Sequence, residues 1–92
     1  MNDDLSVGLR GFKTRDAVIP ILKRTGLHWF EVVARTRGSH VVSVRQEIFF
    51  VLRSLGYSYP RIGEICKRDH TTIIHGVAAH KEKLNEERDF YS

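Results

Sequence analysis

Five consecutive residues, Arg68-Asp69-His70-Thr71-Thr72, combine a guanidinium, a carboxylate, an imidazole and two hydroxyls with no apolar residue among them. Such groups support two kinds of chemistry. They can act as acid, base or nucleophile on a substrate, or they can read base edges through hydrogen bonds and methyl contacts. Their surroundings favour the second. Apolar residues resume at Ile73, Ile74, Val77, Ala78 and Leu84, a helical spacing. Asp69 is a natural cap for the first turn of that helix, because its carboxylate accepts backbone N–H groups. A helix-turn-helix presents just such a polar cluster, at a helix N-terminus, to the major groove. A plain helix cap would use the same residues, so what lies upstream has to decide.

The competing chemistries are weak. Ser58, Asp69 and His70 are the right types for a hydrolytic triad, but a triad is defined by geometry and not by nearness in sequence. Cys66, His70, His75 and His80 suggest zinc. A step of five residues turns about 140° around a helix, so the three histidines share no face, and the spacing matches no familiar zinc pattern. Cys66 reads as a small core residue. No catalytic residue, metal or cofactor is expected.

Length and composition point the same way. Ninety-two residues make one small domain, short for a catalytic domain with a separate cofactor fold. At 41% hydrophobic residues the chain should fold. Its net charge of +4 and pI of about 9.6 suit an anionic partner. The positive charge is central: over 35–53, Arg35, Arg37, Arg45 and Arg53 stand against Glu47 alone. The tail from Lys81 to Arg88 mixes both signs, as a solvated helix does. A single cysteine excludes an intrachain disulfide and suits a reducing cytoplasm. No secretory leader and no apolar run of membrane-spanning length is visible, so a cytoplasmic protein is expected.

The elements that must position the polar cluster can be read in order. Residues 1–13, with Gly8 and Gly11, read as a flexible arm, followed by a folded domain over 14–92. Thr14 is a candidate N-cap, and Ala17, Val18, Ile21 and Leu22 form an apolar face that stops at Gly26. Pro20 argues for a helix start near Ile19, or a kink. A short helix from His28 to Arg35 should bury Trp29, Val32 and Val33. Thr36-Arg37-Gly38-Ser39-His40 has no period and reads as a basic loop, either an ordinary connection or an arm for a minor groove. Ser43-Val44-Arg45-Gln46 matches a capping box. The helix behind it carries Ile48, Phe49, Val51, Leu52 and Leu55 and should be the central strut, ending at Gly56. Arg45 in its first turn would oppose the helix dipole by about 0.3–1 kcal/mol, a cost offset if it meets an anion. Ser58 and Pro60 start the next helix. Gly63 costs about 1 kcal/mol there relative to alanine, which close helix approach would explain. With Lys67-Arg68 as a tight turn, the pattern is an all-α bundle of about five helices containing a helix-turn-helix.

At this point a resemblance becomes specific. Arg45-Gln46, Ser58-Tyr59-Pro60-Arg61-Ile62-Gly63 and Arg68-Asp69-His70-Thr71-Thr72-Ile73-Ile74-His75 resemble the C-terminal DNA-binding domain of DnaA, the bacterial chromosomal replication initiator, over roughly residues 15–88. The resemblance implies the Trp-repressor-like helical fold of that domain and sequence-specific binding of duplex DNA at DnaA-box-like sites. It implies that Asp69, His70 and Thr71 face bases in the major groove and that Arg45, Gln46 and Thr72 hold phosphates or flank the bases. Arg37 would enter the minor groove, and backbone amides near Tyr59 and Pro60 would hold a phosphate. Lys67, Arg68 and His75 belong to the same implied interface. Cys66-Lys67 stands where the family usually has an aromatic residue and glycines, in a turn one residue shorter. The chain has no Gly-x-x-x-x-Gly-Lys-Ser/Thr phosphate loop, so the resemblance implies a stand-alone, ATPase-free regulator of replication initiation. The rival expectation is an interaction module that binds or competes with DnaA or other replication proteins, or a transcriptional regulator. A monomer is expected, since an asymmetric site needs no protein two-fold axis.

Overall fold

A computed structural model describes residues 4–91, with side chains through residue 88. It contains five helices: α1 (Phe12–Thr25), α2 (Trp29–Val33), α3 (Ser39–Ser54), α4 (Tyr59–Cys66) and α5 (His70–Tyr91). There is no strand among the described residues. The all-α bundle expected from the apolar spacing is the fold.

α3 is the strut, and each of the other four helices packs on it. It buries Val44, Arg45, Ile48, Phe49 and Leu52. Ile48, Phe49 and Leu52 sit in one cluster with Val18 and Leu22 of α1, Val32 of α2, Ile62 of α4 and Ile73 of α5. Burying side chains of this size stabilises by about 1.5–3 kcal/mol each, which makes this cluster the main source of cohesion. A Cβ on Gly76 would lie 2.6 Å from Phe49 Cδ2. The bare backbone of α5 therefore lets Phe49 close the α3–α5 contact. An ion pair between Arg24 and Glu47 ties α1 to α3 at the surface.

α2 is shorter at both ends than the expected His28–Arg35 helix, and three larger differences from the sequence expectation each have a tertiary reason. α1 begins at Phe12, with Gly11 at its cap. Thr14 is not a cap: it is buried inside the helix, and its hydroxyl lies 2.9 Å from Tyr57 Oη. Pro20 stays within α1. It is exposed, as is Asp16, whose carbonyl loses its i+4 donor and can be served by water instead. Secondly, α3 begins at Ser39 and not at Ser43, because the half-buried Val41 and Val42 extend its packed length by a turn. Arg45 is thus in the second turn. Thirdly, residues 4–11 are not a free arm. Trp29 N–H donates to the Leu5 carbonyl at 2.7 Å, and Ser6 and Leu9 are buried. Asp4 holds the turn by accepting both Ser6 N–H and Ser6 Oγ–H, which keeps its own carboxyl below the ordinary value. Residues 1–3 of the expected arm lie outside the described residues.

The helix-turn-helix follows the sequence signals closely. Ser58 Oγ accepts Arg61 N–H at 3.2 Å, and Pro60 occupies the first turn of α4. Gly26 closes α1 in the left-handed region with its N–H on Leu22 O. Lys67 ends α4 in the same region at φ 58°, the sole non-glycine there among the described residues. Arg68 N–H then bonds the Gly63 carbonyl at 2.9 Å. The turn folds so tightly over α4 that a Cβ on Gly63 would lie 2.5 Å from the Arg68 carbonyl oxygen. Close approach is therefore the reason for a glycine in the middle of α4.

Candidate nucleic-acid interface

At the start of α5, Ile73 is fully buried and Val77 nearly so, which locks the helix onto the core. The four residues before Ile73 stand at the helix end, beyond the packed stretch: Asp69, His70, Thr71 and Thr72 are all exposed. Asp69 precedes the helix, and its carbonyl accepts Ile73 N–H at 3.2 Å. Its carboxylate Oδ1 lies 3.3 Å from His70 Nδ1, where it can orient the imidazole. Hydroxyls, imidazole and carboxylate thus form one polar tip on a rigid support.

Two clefts flank the tip. One, of about 390 Å³, is lined by Arg35, Thr36, Arg37, Arg45, Lys67, Arg68 and Asp69. Five cations face one acid there, so the cleft favours anions. The other, of about 320 Å³, runs between α3 and α5, and Gln46, Thr72 and His75, with Arg45 and Arg68, supply its polar groups. Arg37, Gln46, Lys67 to Thr72 and His75 therefore come together around the tip. Tyr59 lines neither cleft. It is half-buried at the start of α4, with the Arg53 guanidinium 4.5 Å from its ring centroid. Arg35 was not singled out as a site residue from the sequence; its neighbour Arg37 and the charge imbalance of the segment were the available signal.

Arg45 sits differently from the exposed first-turn cation expected of it. It is 9% exposed, and its guanidinium is spent on backbone. Nε donates to Val32 O at 2.8 Å, and one terminal nitrogen donates to Ala34 O and Thr36 O, both at 3.1 Å. Burial, and then the neighbouring Arg68 charge, push its pKa down, although a guanidinium stays protonated. The signal was in the spacing. Arg45 precedes Ile48, Phe49 and Leu52 by three, four and seven residues, which is the core-facing period of the helix. Arg68 is half-buried and donates to Val33 O at 3.0 Å and Ala34 O at 2.6 Å.

No cluster of three or more His, Cys, Asp or Glu placed to hold a metal occurs among the described residues. Nor is any of the described helices long and apolar enough to cross a membrane. Cys66 is buried in the core, on the inner side of α4.

The family model of the bacterial DnaA protein helix-turn-helix matches residues 20–79. The chain belongs to the DnaA helix-turn-helix family. The match takes in Arg37, the strut, α4 and the first part of α5 with His75, and so all the residues gathered at the polar tip. The chain is 39% identical over 57 residues to the chromosomal replication initiator protein DnaA 1 of Chlamydia trachomatis serovar D, covering 61% of this chain and 12% of that protein. The corresponding protein of Chlamydia muridarum is 37% identical over 57 residues, again 61% of this chain and 12% of the relative. DnaA 2 of Chlamydia caviae is 31% identical over 70 residues, 75% of this chain and 15% of the relative. The chain therefore spans a small fraction of the length of these DnaA relatives, and the likeness concerns the helix-turn-helix region. No solved structure matches it.

Proposed function

We propose that this DnaA-family domain binds double-stranded DNA with sequence specificity, at DnaA-box-like sites, and acts in the regulation of replication initiation. One observation carries the reading: four exposed polar residues at the N-terminus of α5 stand beside a cleft of five cations. Asp69, His70 and Thr71 read base edges in the major groove, where each base pair has its own donor and acceptor pattern. Thr72, Gln46, Lys67 and His75 hold the flanking backbone, which positions without specifying. Arg37, exposed on the loop before α3, enters the adjacent minor groove. The Tyr59 N–H, one of the unpaired donors of the first turn of α4, faces a phosphate. No ATP hydrolysis is assigned to these residues, since no phosphate-loop motif lies among them. The domain works as a monomer in the cytoplasm, and DnaA itself or other replication proteins are its further partners.

Selection of bound sequences from random duplex DNA tests this directly. A defined asymmetric motif is expected, with duplex preferred over single strands. Affinity should fall with salt at a log–log slope of about −0.9 per phosphate engaged. Equal binding of single strands with no salt slope would sink the proposal and leave a protein-interaction role. Arg37→Ala should remove A·T preference at one end of the motif only, because the minor groove distinguishes little beyond A·T from G·C. An unchanged selected motif would return residues 35–38 to a plain connection.

A further inference from the structure

We infer that Arg45 and Arg68 are positioning residues: together they clamp the end of α2 and set the angle at which the Arg35–Gly38 loop meets the start of α5. This rests on the DNA reading above. α2 has five residues, too short to persist without packing. It ends at Ala34 in extended conformation, with no left-handed cap. Its last carbonyls are therefore orphans, and the Val32 residue among them is fully buried. Arg45 reaches back from α3 to Val32, Ala34 and Thr36, while Arg68 reaches across from the turn to Val33 and Ala34. Both guanidiniums meet on the Ala34 carbonyl.

The consequence is geometric. Arg68 lies two residues before His70, and Thr36 lies one before Arg37. The loop and the polar tip are thus fastened to each other through side chains, and Arg37 and His70 read DNA in a fixed mutual register. An ammonium cannot replace the fork, because Nε holds the Val32 carbonyl while a terminal nitrogen holds those of Ala34 and Thr36, and a single nitrogen cannot occupy both places.

A double-mutant cycle tests this, with Arg37→Ala and Arg45→Lys made singly and together, and affinity for the selected duplex measured for each. Folding is followed by melting temperature and helical circular dichroism. Arg45→Lys keeps the charge, so a purely electrostatic role predicts little loss; positioning predicts a loss of about tenfold, with A·T preference at the loop end blurred. In the Arg45→Lys background, Arg37→Ala should cost no more than about twofold further, since a misplaced Arg37 has little left to lose. Arg68→Gln, at a half-exposed site, repeats the cycle if Arg45→Lys does not fold, and its salt slope should match that of the wild type. A slope flattened by about one unit would make Arg68 a phosphate contact. Additive losses, with wild-type selection intact, overturn the clamp alone. Failure of the wild type to select any duplex removes the DNA reading and the clamp's purpose with it.

Discussion

Gly63→Ala should destabilise the domain by about 1–3 kcal/mol, even though alanine is the better helix former. Two effects of opposite sign compete. Relief of the glycine penalty inside α4 offers about 1 kcal/mol. Against it, the new Cβ would stand 2.5 Å from the Arg68 carbonyl oxygen and 3.5 Å from His70 N. The obstacle is backbone, with no flexible side-chain end to swing aside, and Gly63 is itself buried. The turn must therefore lift, which breaks the Arg68 N–H bond to Gly63 O and tilts the start of α5. For a domain of this size each kcal/mol lowers the melting temperature by about 4–8 °C. Calorimetry should show that fall, and DNA affinity should drop further than stability alone explains, because the polar tip moves with the turn. A raised melting temperature would mean that helix propensity wins and that the turn is looser than described.

His70→Ala should do the reverse, leaving the fold alone and damaging recognition. His70 is exposed, with more than half of its side chain open to solvent, so the melting temperature should shift by no more than about 0.5 kcal/mol of stability implies. Discrimination at one base pair should fall by about 1–3 kcal/mol, the worth of a good base contact. Thr71→Val, beside it, separates the two ways a threonine reads DNA. Valine keeps the shape and a methyl and loses the hydroxyl. Retained binding identifies methyl contact with thymine; a loss of similar size to that of His70→Ala identifies a hydroxyl hydrogen bond. Selected-motif sequencing of both variants measures this. If His70→Ala unfolds the domain while the surviving molecules select normally, the recognition surface lies elsewhere.

The parts of the fold that were legible in the sequence are those governed by local chemistry. Ser58 and Pro60 mark the start of α4, Gly26 ends α1, and the resumed spacing from Ile73 fixes which face of α5 is buried. Misread elements had a local signal overruled from a distance. Thr14 looks like a cap, but its hydroxyl meets Tyr57, 43 residues away. Ser43 to Gln46 spell a capping box in the middle of a helix that packing had already begun at Ser39. Leu5 and Leu9 lie in a segment without period, and a single turn held by Asp4 suffices to bring them against the core. Among the candidate site residues, the exposed tip was readable because its residues are all polar and apolar spacing begins only at Ile73. Arg45 was not, because an arginine on an anion and an arginine on carbonyls have the same letter; only its place in the apolar period tells them apart.

Cys66 gives this molecule a built-in gauge of its own breathing. The thiol is 1% exposed, and burial pushes its pKa up to about 12. Only the thiolate is nucleophilic, so a soluble alkylating reagent finds nothing to attack in the closed domain. It reacts when α4 swings out of the core, and with reclosing fast, the labelling rate measures the population of that open form. Cognate DNA bound across the motif should slow the same reaction in proportion to its occupancy. With a single cysteine in the chain, the signal needs no engineered probe and has one possible address.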